Sequence, residues 1–293
     1  MTRVRKGITV IGAGNWGSSL AAGVVAAGIP LLEVVVGAAK QRPAKFGGVA
    51  AVSWETAKFD AELLWICVPD GQIRRVAERI AARRGELRGQ IVVHSSGALT
   101  VGVLDAARLA GASVGGIAPV FSFPTRKPAP LEDVLFVVEP GAGQARKLTG
   151  LVRKLGGKPL WISSESKVMY HAAATMASPL LVSALQAAMK TAGLTGLRRR
   201  VAEAVVRALA ETTLRNFFSQ GAGRSFSGPF ARGDAGTVEL HLRALLEHPT
   251  LHRTYLALAR NAVESLPVRN RSDLERVLDS SLGSFGSKQG VRN

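Results

Sequence analysis

Residues Ile8-Thr-Val-Ile-Gly12-Ala-Gly14-Asn15-Trp16-Gly17, continuing as Ser18-Ser-Leu-Ala-Ala-Gly-Val-Val-Ala-Ala-Gly28, decide the reading of this chain. An apolar strand feeds a Gly-x-Gly-x-x-Gly turn that opens a helix, the context that separates a dinucleotide fingerprint from a chance glycine triplet. Each glycine has a physical task. Gly12 permits the tight turn, Gly14 lets the backbone approach a pyrophosphate, and Gly17 lets the helix pack closely on the strand. The helix N-terminus then offers N–H groups and the positive end of a dipole to the phosphates. Asn15 and Trp16 lie inside the turn and are expected at the same cofactor.

The choice of nucleotide is read about twenty residues further on, where an acidic side chain would hold the ribose 2′-hydroxyl of NAD. The second strand, Leu32-Glu-Val-Val-Val36, runs instead into Gly37-Ala-Ala-Lys40-Gln-Arg42 without a carboxylate at its end. Lys40 and Arg42 are placed to meet a 2′-phosphate, Arg as a fork and Lys as a point charge; as solvated loop cations they would have no such role. NADP is therefore expected, ahead of NAD.

At 293 residues, 47% hydrophobic and 20% charged, the chain is ordinary globular material, long enough for two domains. Its one cysteine, Cys67, excludes an intrachain disulfide framework and reads as a small buried hydrophobe in a reducing cytoplasm. Arg3, Arg5 and Lys6 before an apolar stretch imitate a secretory signal, but Asn15 and four glycines interrupt the run. No stretch offers the roughly eighteen uninterrupted apolar residues of a membrane span. A formal net charge of +17 raises nucleic acid as a partner. The clusters Arg74-Arg75, Arg83-Arg84 and Arg198-Arg-Arg200 fall on separate elements without aromatic interleaving, so none is expected, and the excess serves anionic cofactors and substrates.

Short apolar strands at 49–52, 63–68, 91–94, 114–118, 135–138 and 160–162 alternate with helical patterns at 72–84, 101–110 and 144–155. That alternation predicts a mostly parallel sheet covered on both faces. Beyond 162 the strand pattern stops, and 163–190, 197–219, 237–247, 250–265 and 272–282 read as helices. The fold class expected is thus α/β: an N-terminal Rossmann dinucleotide-binding domain, 1–162, and a C-terminal all-helical domain, 163–293, with 283–293 disordered. The apolar face of the helix at 163–190 is too wide for an isolated bundle member, which predicts a homodimer.

Strand ends carry the candidate chemistry. Cys67-Val68-Pro69-Asp70 and His94-Ser95-Ser96-Gly97 stand where open α/β sheets bind ligands. Val68, Pro69 and Asp70 are expected at the cofactor, with a helix cap as the other reading of Asp70. Ser95 and Ser96 offer hydroxyls and N–H groups to a substrate or the nicotinamide, and a cap before Leu99 is compatible with that. Lys167 and His171, four apart beside Ala172-Ala-Ala174, share a helical face and supply what carbonyl reduction needs, a cation to polarise oxygen and a proton donor. Arg232, in Gly228-Pro-Phe-Ala-Arg232-Gly-Asp234, suits a substrate carboxylate; Asp234 reads both as a substrate residue and as an N-cap. His248 and His252 have metal-ligand spacing, yet Pro249 starts a helix between them, and no metal is expected.

These motifs, with Phe121-Ser-Phe-Pro124, together resemble the Rossmann-like proteins that carry the domain of unknown function 2520. More distantly the chain is similar to pyrroline-5-carboxylate reductase, ketopantoate reductase and the β-hydroxyacid dehydrogenases. The resemblance implies a substrate role for Lys167, for His171 one turn later, and for Ser95 or Ser96. Two positions depart from the pattern: Ala118 stands where a His often precedes the proline, and Ser178-Pro179 where an Asn often follows the serine. Pro179 would free the carbonyl of Thr175 and kink the helix. The function implied is an NADP-dependent oxidoreductase, passing a hydride between nicotinamide and a small, anionic carbonyl, imine or hydroxy-acid substrate. The alternative is a non-catalytic NADP(H)-binding sensor or scaffold.

Overall fold

The computed structural model describes residues 4–37, 45–46, 48–141 and 143–286. Strand β1 (Arg5–Ile11) turns through the glycines into α1 (Asn15–Ala26), and β2 (Leu31–Val36) returns beside β1. The antiparallel pair β3 (Lys45–Phe46) and β4 (Val49–Ser53) follows, then β5 (Ala61–Ile66), α2 (Asp70–Arg84) and β6 (Ile91–His94). A 3-10 turn at Val101–Leu104 runs into α3 (Asp105–Leu109) and β7 (Ser113–Pro119). The sheet closes with β8 (Leu135–Pro140), α4 (Ala145–Lys154) and β9 (Lys158–Trp161).

The strand order is β3-β4-β2-β1-β5-β6-β7-β8-β9. Strands β4 to β7 in that row pair in parallel, and β8 reverses against β7. From β1 the chain builds outward through β2 and β4, then starts again on the other side with β5. The reversal lies next to the glycine turn, the crevice in which open α/β sheets bind ligands. Alternate strand residues feed two apolar layers. Val10, Trp65, Val93 and Ile117 pack with Leu20 and Leu148 on one face. On the other, Ile11, Ile66 and Val92 pack with Ile73 and Ile80. Burial on both faces is why these strands read as continuous apolar runs rather than as alternation.

The long helix expected at 163–190 is built in three pieces: α5 (Lys167–Thr175), a π turn at Met176–Leu180 that contains Pro179, and α6 (Leu181–Gly193). Proline has no N–H for the helical ladder, and the wider π turn absorbs the missing bond without ending the helix. Lys167–Gly193 is also long enough to cross a membrane, and an 18-residue window within it reaches a mean hydropathy of 1.4.

The chain divides into two compact units, Met1–Ala177 and Ser178–Asn293, so α5 goes with the sheet unit instead of opening the second unit at Ser163. The second unit continues with α7 (Arg199–Gln220), the short helices α8 (Ala222–Ser225) and α9 (Pro229–Arg232), α10 (Ala235–Ala244), α11 (Pro249–Ser265) and α12 (Arg271–Gly286). Its core is Val238, Leu242, Leu256, Ala259, Val263, Leu274 and Leu278. Residues 283–286, read from sequence as part of a disordered tail, complete the last turn of α12; 287–293 lie outside the described residues.

Candidate functional site

At the glycine turn, Gly12 has φ +102°, and a Cβ there would lie 2.5 Å from the Cys67 carbonyl oxygen and 3.0 Å from a Val68 methyl. A Cβ on Gly17 would sit 1.9 Å from the Gly12 carbonyl oxygen, so α1 packs on the turn only without a side chain there. On Gly14 a Cβ would meet nothing within 4 Å. That open side faces an α1 N-terminus without a side-chain cap, and this is the cradle a pyrophosphate fits. The side chains of the turn are spent on fixing it. Asn15 Nδ2 donates to the Phe123 carbonyl (2.8 Å), and the Trp16 indole N–H donates to Ser95 Oγ (2.7 Å). Lys40 and Arg42 lie outside the described residues.

Ser95 is committed to the fold. Its oxygen also accepts the Trp65 indole N–H (2.8 Å), and Cys67 Sγ lies 3.7 Å away. Burial pushes the Cys67 thiol up to about 12, which disfavours the thiolate. Ser96 accepts the N–H groups of Ala98 and Leu99 and donates its own proton to Asp70 Oδ2 (2.7 Å). Asp70 does not cap α2: Pro69 is the N-cap residue and Asp70 the first helical one. Its exposed carboxylate instead joins the end of β5 to the end of β6.

Beside this dyad lies a buried ion pair that the sequence reading did not contain. Lys167 Nζ donates to Glu139 Oε2 at 2.6 Å, with the two side chains 1% and 3% exposed. The other carboxylate oxygen accepts from the Val101 N–H (3.0 Å) and the Ser164 hydroxyl (2.8 Å). Register explains the meeting, because Ile11, Ile66, His94, Gly116 and Glu139 are successive partners across β1, β5, β6, β7 and β8. Glu139 therefore stands level with the last residue before the glycine turn. Gly116 leaves the gap, since a Cβ there would lie 3.1 Å from Lys167 Nζ and 3.3 Å from Glu139 Oε2. Burial would raise the Glu139 carboxyl, but Lys167 and the two hydrogen bonds outweigh it and hold it below the usual range. Burial also holds the Lys167 ammonium below its ordinary value, against the upward pull of Glu139. Burial, with the Lys167 charge behind it, pushes His94 down to about 3. His94 is neutral and accepts the Ser96 N–H at Nδ1 (3.1 Å).

The helix face shared by Lys167 and His171 thus has two environments. His171 is exposed, and its Nδ1 would lie 2.7 Å from a Cβ on Gly97. The imidazole rests on the backbone at the end of β6 because Gly97 has no side chain. In the second unit, Arg232 is exposed at the end of α9, and Asp234 caps α10, taking the Thr237 N–H (3.0 Å) and hydroxyl (2.7 Å) on its two oxygens. His248 is the N-cap residue of α11, and His252 is buried in that unit. Among the described residues no group of His, Cys, Asp or Glu is arranged to hold a metal ion.

The one signal for Glu139 in the sequence was an acid ending the apolar run 135–138; for Gly116, a glycine inside a strand. Neither says which helix meets it.

Residues 1–119 match the Rossmann-like domain and residues 134–262 match the domain of unknown function DUF2520. Asp70 and Ser96 fall in the first match, Glu139, Lys167 and His171 in the second. No curated protein matches the chain in sequence. Among solved structures, a proposed NADP oxidoreductase from Bacteroides fragilis is similar at a TM-score of 0.71 and 20% identity, over 88% of this chain and 97% of that one. A reductive aminase from Aspergillus terreus, solved with NADPH and ethyl-5-oxohexanoate, gives 0.62 and 15%, over 94% and 99%. The pyrroline carboxylate reductase of Plasmodium falciparum, solved with NADP, gives 0.58 and 13%, over 95% and 98%. The chain thus matches the Rossmann-like domain in its first part and the domain of unknown function 2520 in its second, and its fold is similar to that of solved pyrroline carboxylate reductases and imine reductases.

Proposed function

We propose that this protein is an NADP(H)-dependent oxidoreductase acting on a small carbonyl, imine or hydroxy-acid substrate. The observation that carries the proposal is the open glycine cradle after β1, with the Asp70–Ser96 bond between the ends of β5 and β6 and the Lys167–Glu139 pair in the strand row that ends at Ile11. Structural relatives solved with NADP or NADPH support it. When bound, the nicotinamide would supply or accept the hydride. His171, exposed over Gly97, would exchange the proton with substrate. Lys167, one turn back on the same helix, would hold positive charge there. A screen of keto acids, aldehydes and imines with NADPH, followed by loss of nicotinamide absorbance, tests the reading. One observation favours a second, non-catalytic NADP(H)-binding role: Lys167, Ser95 and Ser96 all have internal partners. Tight NADPH binding without turnover across the screen would select it.

The cofactor preference carries its own expectation. NADPH should bind more tightly than NADH, and Lys40→Ala with Arg42→Ala should shrink the difference by about 1.5–3 kcal/mol for each charge-assisted bond lost. Calorimetric titration showing equal affinity for both nucleotides in the unaltered protein would exclude the assignment.

We further propose a homodimer formed through the helical unit. Val201, Val205 and Leu209 make an exposed stripe at four-residue spacing on α7, with Phe217 and Phe218 at its end. A face of that breadth is rarely left in water. Light scattering at micromolar concentration should give about twice the 30.8 kDa chain mass. A 30.8 kDa particle would end the proposal.

A further inference from the structure

Two contacts of α5 with the sheet unit lie four residues apart on one helix face. Lys167, its first residue, enters the gap over Gly116 and meets Glu139. His171, one turn on, rests on Gly97. The carboxylate between them and the sheet is itself fixed: β8 carries it, and the Val101 N–H and the Ser164 hydroxyl hold its second oxygen. Ser164 and Lys167 bracket the start of α5, so one carboxylate ties both the approach to the helix and its first residue. Beyond Glu139 only the Asp70 charge, a weaker influence, favours an ammonium this deeply buried. Without its counter-charge it must lose its proton or move out to water, and moving out lifts the first turn.

We propose that Glu139 is a positioning residue: through its buried ion pair with Lys167 it fixes the first turn of α5 and so seats the His171 imidazole on the Ser96–Gly97 backbone. The consequence for turnover rests on the oxidoreductase reading above; the seating does not. Glu139 touches no reacting atom in this scheme. Its effect passes through Lys167 to His171.

The test is Glu139→Gln in the full chain, a change that keeps the size and one accepting oxygen but removes the charge and puts a donating NH2 in place of the other oxygen. Hydrogen exchange followed by mass spectrometry should show the Tyr170 and His171 amides exchanging about tenfold faster or more, with peptides of the glycine turn unchanged. With a substrate in hand, kcat should fall about tenfold or more, while KM and NADPH affinity stay within about twofold. Gly97→Ala is the second variant and covers the case in which Glu139→Gln does not fold. Its Cβ displaces the imidazole directly, so it should reproduce the kcat loss while leaving exchange over α5 as in the unaltered protein. Unchanged exchange at Tyr170 and His171 in Glu139→Gln would overturn the proposal. So would a uniform rise across β7, β8 and β9 with a matching loss of NADPH binding, since that is a plain structural role. A full kcat in Gly97→Ala would sink the seating of His171 as the functional consequence. If the unaltered protein turns over no substrate, the oxidoreductase reading fails, and exchange alone still decides for or against the anchor.

Discussion

Lys167→Met should lower folding stability by about 3–5 kcal/mol, the cost of leaving one partner of a buried ion pair without the other. Met fills most of the volume of the lysine stem, so the loss reports the charge left on Glu139, which is 3% exposed, rather than a cavity. The pH dependence separates the two causes. In the unaltered protein the Glu139 carboxyl is held below its usual range, so its contribution is present above the unfolded-state value and is lost as pH falls through the folded-state value. In the variant only the Val101 and Ser164 hydrogen bonds still oppose burial, the largest influence, and the carboxyl is expected to rise above its unfolded-state value. The folded variant then keeps its stability below that value and loses it as pH rises through the raised one. The stability gap between the two proteins should therefore be widest near neutrality and narrow as pH falls toward about 4, the ordinary glutamate range. Urea unfolding at several pH values measures it. A gap that stays constant with pH would mean that packing, not the ion pair, is what Lys167 contributes.

The opposite pattern is expected one turn along the helix. His171 is exposed, so His171→Ala should change stability by no more than about 0.5 kcal/mol. Turnover should fall by ~10²–10⁴-fold, the usual cost of removing a positioned proton donor. NADPH affinity should stay nearly unchanged, because the glycine turn after β1 offers the phosphate site. Steady-state kinetics on a substrate from the screen provides the measurement. A rise in KM at constant kcat would make His171 a binding group. Full kcat in the variant would remove it from the chemistry.

Lys167 and His171 share a helix face as their spacing implies, yet the spacing could not say that one side chain enters the sheet and the other stays in water. Helical periodicity reports which residues share a face, not the depth of what that face meets. Ser95 and Ser96 show the same limit. Their type and place at a strand end suit a ligand, but Trp16, Trp65 and Asp70 occupy their hydroxyls, and those partners come from residues 26 to 79 positions away. For Asp234 the local reading was sufficient, because an N-cap bond spans only three residues.

Local patterns in the chain were enough to read the sheet architecture and the glycine cradle. A glycine turn between an apolar strand and a helix depends on neighbours within about ten residues, and short apolar runs rich in Val and Ile that alternate with helical patterns fit strands inside a covered sheet. Pro179 likewise announced a disturbed helix, since its missing N–H is a local fact. Which charge faces which was decided by the tertiary structure alone. Glu139 and Lys167 meet because β7 and β8 pair antiparallel in a register that places Glu139 beside Gly116. That glycine opens the gap in which the ammonium lies. Register is a long-range property, in which a slip of one residue would turn Glu139 to the opposite face of the sheet.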